Sequence, residues 1–251
     1  MTGRLSTRRI GVVVPSVNTV IEGWYPYAVP SDVRVHVNRM LIGQAVTAAS
    51  LREMDGYGME AARTLATCRP DVVIYGCTAS SLVGGREYDL QLMYELREAT
   101  GVASLTTTES VLRALDHLGV TTLAVASPYT DDLGNAEVDF LSATGHPVLG
   151  HAHMGILDGF DLALPSAEDI SAIARRAWAN AHGRADALFI GCMNLNSHLV
   201  LEAMEAELGV PVVSATQASL WAALREMGRT ATLSGHGSLL AGGPAQSGKL
   251  T

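Results

Sequence analysis

The sequence predicts an α/β fold: two similar Rossmann-like lobes with parallel sheets, related by a pseudo-twofold axis, with the functional site in the cleft between them. Three observations carry this expectation. Continuously apolar runs rich in β-branched residues recur along the chain, as in strands buried on both faces. Amphipathic stretches of helical period lie between them, the alternation of a parallel α/β sheet. The order of motifs in the first half also returns in the second.

The elements follow in chain order. "RIGVVVP" (9–15) is the first strand and ends at a proline. "LREMDGYGMEAARTLATC" reads as a helix, "DVVIYGC" as a second buried strand and "LQLMYELREATG" as the next helix. "TGVASLTTTESVLRAL" (100–115) holds Gly-Val, a short strand, Ser/Thr at the strand end and then a helix. The second half repeats the set with "TTLAVASP" (121–128), "DALFIGC" and "LGVPVVSATQASLWAA" (208–223). Between the first two of these, "SAEDISAIARRAWANAHG" opens with Ser166 as N-cap and an acidic residue three positions on. The final helix can pack back on the first lobe. Lobe one is therefore expected at 1–117 plus 216–251 and lobe two at 118–215, each near the usual ~100-residue domain. The Gly/Pro/Ser-rich tail "AGGPAQSGKLT" is expected to be disordered.

Composition narrows the function classes. A chain of 251 residues, 48% hydrophobic and 17% charged, can bury a substantial core. A net charge of -8 argues against nucleic acid or an anionic membrane as partner. No apolar run approaches the ~18 residues of a membrane helix, and "MTGRLSTRR" lacks the apolar core of a signal peptide. Three cysteines without a framework spacing suit a reducing compartment. These features point to a cytoplasmic protein.

The repeat gives two of those cysteines a special place. "DVVIYGCTASS" (71–81) and "DALFIGCMNLNS" (186–197) both run Asp, four apolar residues, Gly, Cys and then small or amide side chains. Ligand sites of parallel α/β sheets lie at strand carboxyl ends, where Cys77 and Cys192 both fall. A helix opening behind each thiol would lower its pKa and offer N–H donors to an anion. A single cysteine after an apolar run is more often a small packing residue, and Cys68 in "LATCRPD" is read that way. Two at equivalent places in a repeat argue for chemistry.

Other constellations carry less. An extended "HAH" puts His151 and His153 on one face, but no third ligand type stands nearby, so no metal is expected. His198 lies six residues beyond Cys192, a poor helical spacing for a thiol–imidazole pair. The first strand has no G-x-G-x-x-G, and the chain has no P-loop, so no nucleotide cofactor is expected. "EAMEAEL" (202–208) reads as a solvated helix face.

With these motifs in place, "VPSVNTVIE", "GCTAS", "SPYTDD", "GCMN", "GVPVVSATQASLWAAL" and "GHGSLL" resemble the maleate cis–trans isomerase and arylmalonate decarboxylase group of the aspartate/glutamate racemase superfamily. The likeness spans nearly the whole chain. It implies two facing lobes, no cofactor and a small mono- or dicarboxylate substrate. It also implies that Cys77 and Cys192 match the paired cysteines of the isomerases and racemases, whereas the decarboxylases have Gly at the earlier place. By the same resemblance Asn18 and Tyr129 hold substrate, and backbone N–H groups at Thr78, Ala79, Met193 and Asn194 cradle carboxylate oxygens. Two positions depart from the pattern. Gly159 stands where isomerases carry a substrate-contacting Asn, and Ala79 replaces a frequent Ser. A homodimer or higher homo-oligomer is expected.

The chemistry so implied is explicit. A cis-enedioate cannot rotate until its double bond becomes single. Thiolate addition by Cys77 would achieve this, with Cys192 moving the proton at the neighbouring carbon. Maleate to fumarate is the first expectation. Racemisation, epimerisation or decarboxylation of a related carboxylate is the alternative, and a carboxylate-binding protein without turnover is the non-enzyme alternative. The loops "PSVNT", "GCTAS", "SPYT" and "GCMN" contain no Lys or Arg, so neutral donors must carry the anion.

Overall fold

The computed structural model describes residues 7–230 and 233–241, so the expectation for the tail from residue 242 onward lies outside the described residues. The first half runs β1 (Arg8–Pro15), α1 (Ile21–Ala28), β2 (Val33–Met40), α2 (Ala48–Ala66), β3 (Val72–Tyr75), α3 (Thr78–Thr100), β4 (Ala103–Thr106) and α4 (Thr107–Leu118). The second runs β5 (Leu123–Ser127), α5 (Asp131–Ala143), β6 (Val148–His153), α6 (Ala167–Asn180), β7 (Ala187–Ile190), α7 (Leu201–Leu208), β8 (Val212–Ser214) and α8 (Ala215–Glu226). Among the described residues these strands form two parallel sheets of four, ordered β2-β1-β3-β4 and β6-β5-β7-β8. The same order twice is the repeat seen in the sequence.

The duplicated motif has a mechanical origin. Asp71 Oδ2 accepts from Arg9 N–H at 2.7 Å, and Asp186 Oδ2 from Thr122 N–H at 2.9 Å. Each aspartate therefore ties the start of its cysteine strand to the central strand beside it. At the other end Gly76 N–H donates to Val13 O at 2.7 Å and Gly191 N–H to Ala126 O at 2.8 Å, extending both ladders to the residue before the cysteine. A Cβ on Gly76 would sit 3.0 Å from Val13 O, and one on Gly191 2.3 Å from Glu137 Oε1. A side chain at either position would have to displace its neighbour, the Val13 carbonyl or the Glu137 carboxyl. Between these ties β3, β5 and β7 are wholly buried, which explains their unbroken apolar runs.

Helix signals read in sequence hold where they were local. Ser166 caps α6 in a capping box with Asp169. Thr106 accepts from Glu109 N–H to cap α4, and Ser214 forms a capping box with Gln217 to open α8. Two strands, β2 and β6, were absent from the sequence reading. The charged face read for 202–208 also does more than meet solvent. Glu205 accepts from Val212 N–H at 3.0 Å and Ser238 N–H at 2.8 Å, fastening β8 and the last turn.

The halves meet through α3 against α5 and α4 against α8. Although α8 follows the second sheet, it also packs on β3 and β4 of the first. None of the described helices is long and apolar enough to cross a membrane.

Candidate active site

Both cysteines line one cavity of about 40 Å³ at the carboxyl ends of the two sheets. That is roughly three times the ~10–15 Å³ that one water occupies, a size for a small ligand. Asn18, Thr78, Ala79, Tyr129, Met193 and Asn194 line the same space, as does Gly159. Among the described residues no ionisable cation lines it. The sequence-predicted residues thus come from both lobes onto one surface, while His151, His153 and His198 do not reach it. His198 instead stacks on Trp24 with ring centroids 4.7 Å apart, and burial pushes it down to about 4. His151 and His153 bond to each other at 3.0 Å, and His153 to Ser127 Oγ at 3.0 Å.

The two thiols are held differently. Cys77 is the N-cap of α3 without a side-chain capping bond, and the Ala79 and Ser80 amides of the first turn oppose the rise of its pKa. Cys192 has no helix behind it. It sits at φ 80°, a left-handed conformation unusual for a non-glycine residue, and Asn194 N–H donates to its sulfur at 3.3 Å. The turn that follows leads to a single 3₁₀ turn, Ser197–Leu199, before α7. The expectation of a helix N-terminus behind both cysteines is therefore corrected for Cys192.

The expected lowering of the thiol pKa values is corrected as well. Burial pushes Cys77 up to about 11, with the Asp55 carboxylate adding to the rise and Ser80 and the α3 amides opposing it. Burial likewise pushes Cys192 up to about 12, against the Asn194 N–H and the Tyr129 hydroxyl. Desolvation outweighs the few donors available. At neutral pH both sulfurs rest as thiols. Tyr129, facing Cys192, is held well above its ordinary range, first by burial and then by Cys192 and Glu137. Cys68 departs from its reading too: it is exposed at the end of α2 and packs in no core.

Each neighbouring loop is built by specific bonds. Asn18 Oδ1 accepts from Val20 and Ile21 N–H at 3.1 Å, opening α1, while its Nδ2 donates to Met193 O at 3.0 Å across the cleft. Asn194 Oδ1 accepts from Thr19 N–H at 2.9 Å and its Nδ2 donates to Gly159 O at 2.9 Å. The Asn194 side chain is therefore engaged with two other loops, at 17–19 and at Gly159, rather than turned to a ligand. Thr78 Oγ1 is buried and finds no partner among the described residues, which leaves it free for a substrate oxygen. Gly159 is crowded: a Cβ there would lie 3.1 Å from Val17 and 3.2 Å from Val46.

Three groups beside the site escaped the sequence reading. Arg39 donates to Ser16 O and Asn18 O at 2.8 Å and pairs with Glu22, clamping the first loop from outside. Asp55 and Ser80 stand behind Cys77. Glu137 lies behind Cys192 with neither carboxyl oxygen bonded among the described residues. Of these only Ser80 left a signal, its place three residues after a cysteine at a helix start.

The arylmalonate decarboxylase family model matches residues 10–240. The chain belongs to this family. Within and around the family, a maleate isomerase of Nocardia farcinica is 28% identical over 249 residues, covering 94% of this chain and 96% of the relative. The arylmalonate decarboxylase of Bordetella bronchiseptica is 28% identical over 230 residues, covering 89% and 92%. A solved structure of a Nocardia farcinica maleate cis–trans isomerase mutant with a covalently bound succinylcysteine intermediate matches with a TM-score of 0.87 at 26% identity. That match covers 93% of this chain and 98% of the other.

Proposed function

We propose that this protein is a cofactor-independent cis–trans isomerase of a small enedioate, with maleate to fumarate as the first reaction to test. The carrying observation is that both thiols of the repeated Gly-Cys motif line one small cavity. The isomerase relative with its succinylcysteine intermediate supports the same chemistry.

In this reading Cys77, as thiolate, adds to one alkene carbon. Cys192 gives its proton to the other, and the central bond becomes single. The linkage rotates, Cys192 takes the proton back and the Cys77 sulfur leaves, giving the trans isomer. A thiol near 12 is poised to stay protonated, as the donor role needs. Substrate carboxylates are bound by the Thr78 hydroxyl, Asn18, Tyr129 and the backbone N–H groups beside Ala79 and Met193, all neutral dipoles. Asn194 keeps three loops in register around them. No step calls on a metal, so dialysis against a chelator is expected to leave turnover unchanged.

The test is proton NMR of maleate incubated with the protein, followed by mass spectrometry of the trapped enzyme. Fumarate together with a succinyl adduct on Cys77 supports the proposal. An adduct on Cys68 alone, or no turnover, removes it. A second reading draws on the wall formed by Ile42, Val46, Leu51 and Leu162 beside Gly159. That wall suits a carboxylate with an apolar substituent, racemised by two opposed thiols or decarboxylated. Arylmalonate and 2-arylpropionate in the same NMR assay decide it.

The packing of α8 on α4 supports lobes of 1–117 with 216–251 and of 118–215. Free thiols support a cytoplasmic setting. Exposed Leu41, Phe160 and Leu164 support a homo-oligomer, which light scattering reads directly.

A further inference from the structure

The buried Cys77 thiol needs somewhere to send its proton, and the structure provides a continuous path. Ser80 Oγ lies 3.5 Å from Cys77 Sγ and 2.7 Å from Asp55 Oδ1. Asp55 is held in place from two further sides, by Tyr75 O–H on Oδ1 and Tyr88 O–H on Oδ2, each at 2.5 Å. No Arg or His is within ion-pair distance of Asp55 among the described residues. Ser80 donates its hydroxyl hydrogen to the carboxylate, which leaves its lone pairs facing the thiol. Asp55 does not line the cavity, so it acts on the substrate only through others.

We propose that Asp55 is the proton acceptor of Cys77, with Ser80 as the relay. As sulfur attacks, the S–H proton passes to Ser80 Oγ and the Ser80 hydroxyl proton passes to Asp55 Oδ1. The electron pair stays on sulfur and forms the new C–S bond. Expulsion of the sulfur runs the same path backwards. The site's net charge is unchanged throughout, because one negative charge moves from Asp55 towards the sulfur, where the Ala79 and Ser80 N–H groups receive it. Loss of the same proton to bulk water would instead leave a thiolate, a carboxylate and a dicarboxylate substrate side by side, three like charges in low dielectric.

The inference rests on the reading of Cys77 as nucleophile, and the experiment separates the two. Asp55→Asn and Ser80→Ala are compared with the wild type in turnover of maleate and in iodoacetamide labelling of the Cys77 peptide of the free enzyme. Asp55→Asn removes a like charge that raises the Cys77 pKa, so labelling is expected to accelerate. The species that iodoacetamide labels is the thiolate, to which the Ser80 hydroxyl can turn its hydrogen; Ser80→Ala removes that donor, so labelling slows. Turnover is expected to fall in both, by ~10²-fold in kcat with KM nearly unchanged. Opposite effects on labelling with the same effect on turnover are what a merely structural role would not produce. Unchanged kcat in Asp55→Asn overturns the relay. If the wild type forms no adduct with maleate, the isomerase reading falls. The labelling pair then decides whether the thiol, Ser80 and Asp55 are coupled at all, since two variants that label at the wild-type rate refute the chain.

Discussion

A buried acid behind Cys192 sets the residue-scale behaviour of the protein. Burial pushes the Glu137 carboxyl up to about 8 from the ordinary 4.5. Between those values the folded state keeps a proton that the unfolded state has released. Stability is therefore fully present below about pH 4.5, falls as pH rises through the window and levels off above about 8. Glu137→Gln keeps the neutral shape at every pH. It should flatten the decline and exceed the wild type by ~1–3 kcal/mol in urea unfolding above pH 8. Equal slopes for the two proteins would show that the carboxyl ionises freely in the fold. The thiols make a second residue-scale prediction. Cys77→Ala and Cys192→Ala should each cut turnover by more than ~10²-fold, since on the proposed mechanism each removes a bond-making or proton-moving atom. The measured Tm should shift only slightly, because Ala fills most of either pocket. The cysteine pair was legible because a repeat displayed it twice. Asp55 and Glu137 were not, because what makes them matter is a neighbour in space: Ser80 is 25 positions from Asp55, and Glu137 meets a glycine on another element.

At the scale of elements, the central strands announced themselves and the edge strands did not. β3, β5 and β7 are buried on both faces and spell continuous apolar runs. β2, "VRVHVNRM", alternates Val with polar residues because it is half covered, and a search for unbroken apolar runs passes over it. β6, "VLGHAH", is masked by its own packing. Its Gly150 is required where a Cβ would lie 2.1 Å from Ala181 N, so the strand loses an apolar position to the close approach of α6. α3 shows a related effect. The sequence points to a helix opening behind Cys77 and to another over "LQLMYELREATG", and the structure joins them in one element that bends at Gly85, at φ 80° and ψ -179°. That conformation is nearly confined to glycine. Although a Cβ at Gly85 would meet no atom within 4 Å, Gly85→Ala is expected to cost ~1–3 kcal/mol in denaturant unfolding, through the backbone alone. A neutral result would mean that the two parts of α3 can straighten without loss.

At the scale of the whole molecule, the chain carries a net charge of -8, and among the described residues no cation stands on the cavity wall. For a dicarboxylate these facts act in opposite places. On the proposed mechanism neutral donors hold the anion at short range, where geometry and exclusion of water make dipoles strong. The surrounding field repels it at long range. Salt acts only on the second, because the Debye length shrinks from ~30 Å at 0.01 M to ~8 Å at 0.15 M ionic strength. Raising salt over that interval should therefore increase kcat/KM for maleate by a few-fold while leaving kcat nearly constant. A site built on Arg or Lys would show the reverse, with affinity lost as salt screened the attraction. The measurement needs only initial rates at fixed pH over a salt series. A fall in kcat/KM with salt would mean that a cation reaches the substrate in the working enzyme, and the neutral-donor account of carboxylate binding would have to be abandoned.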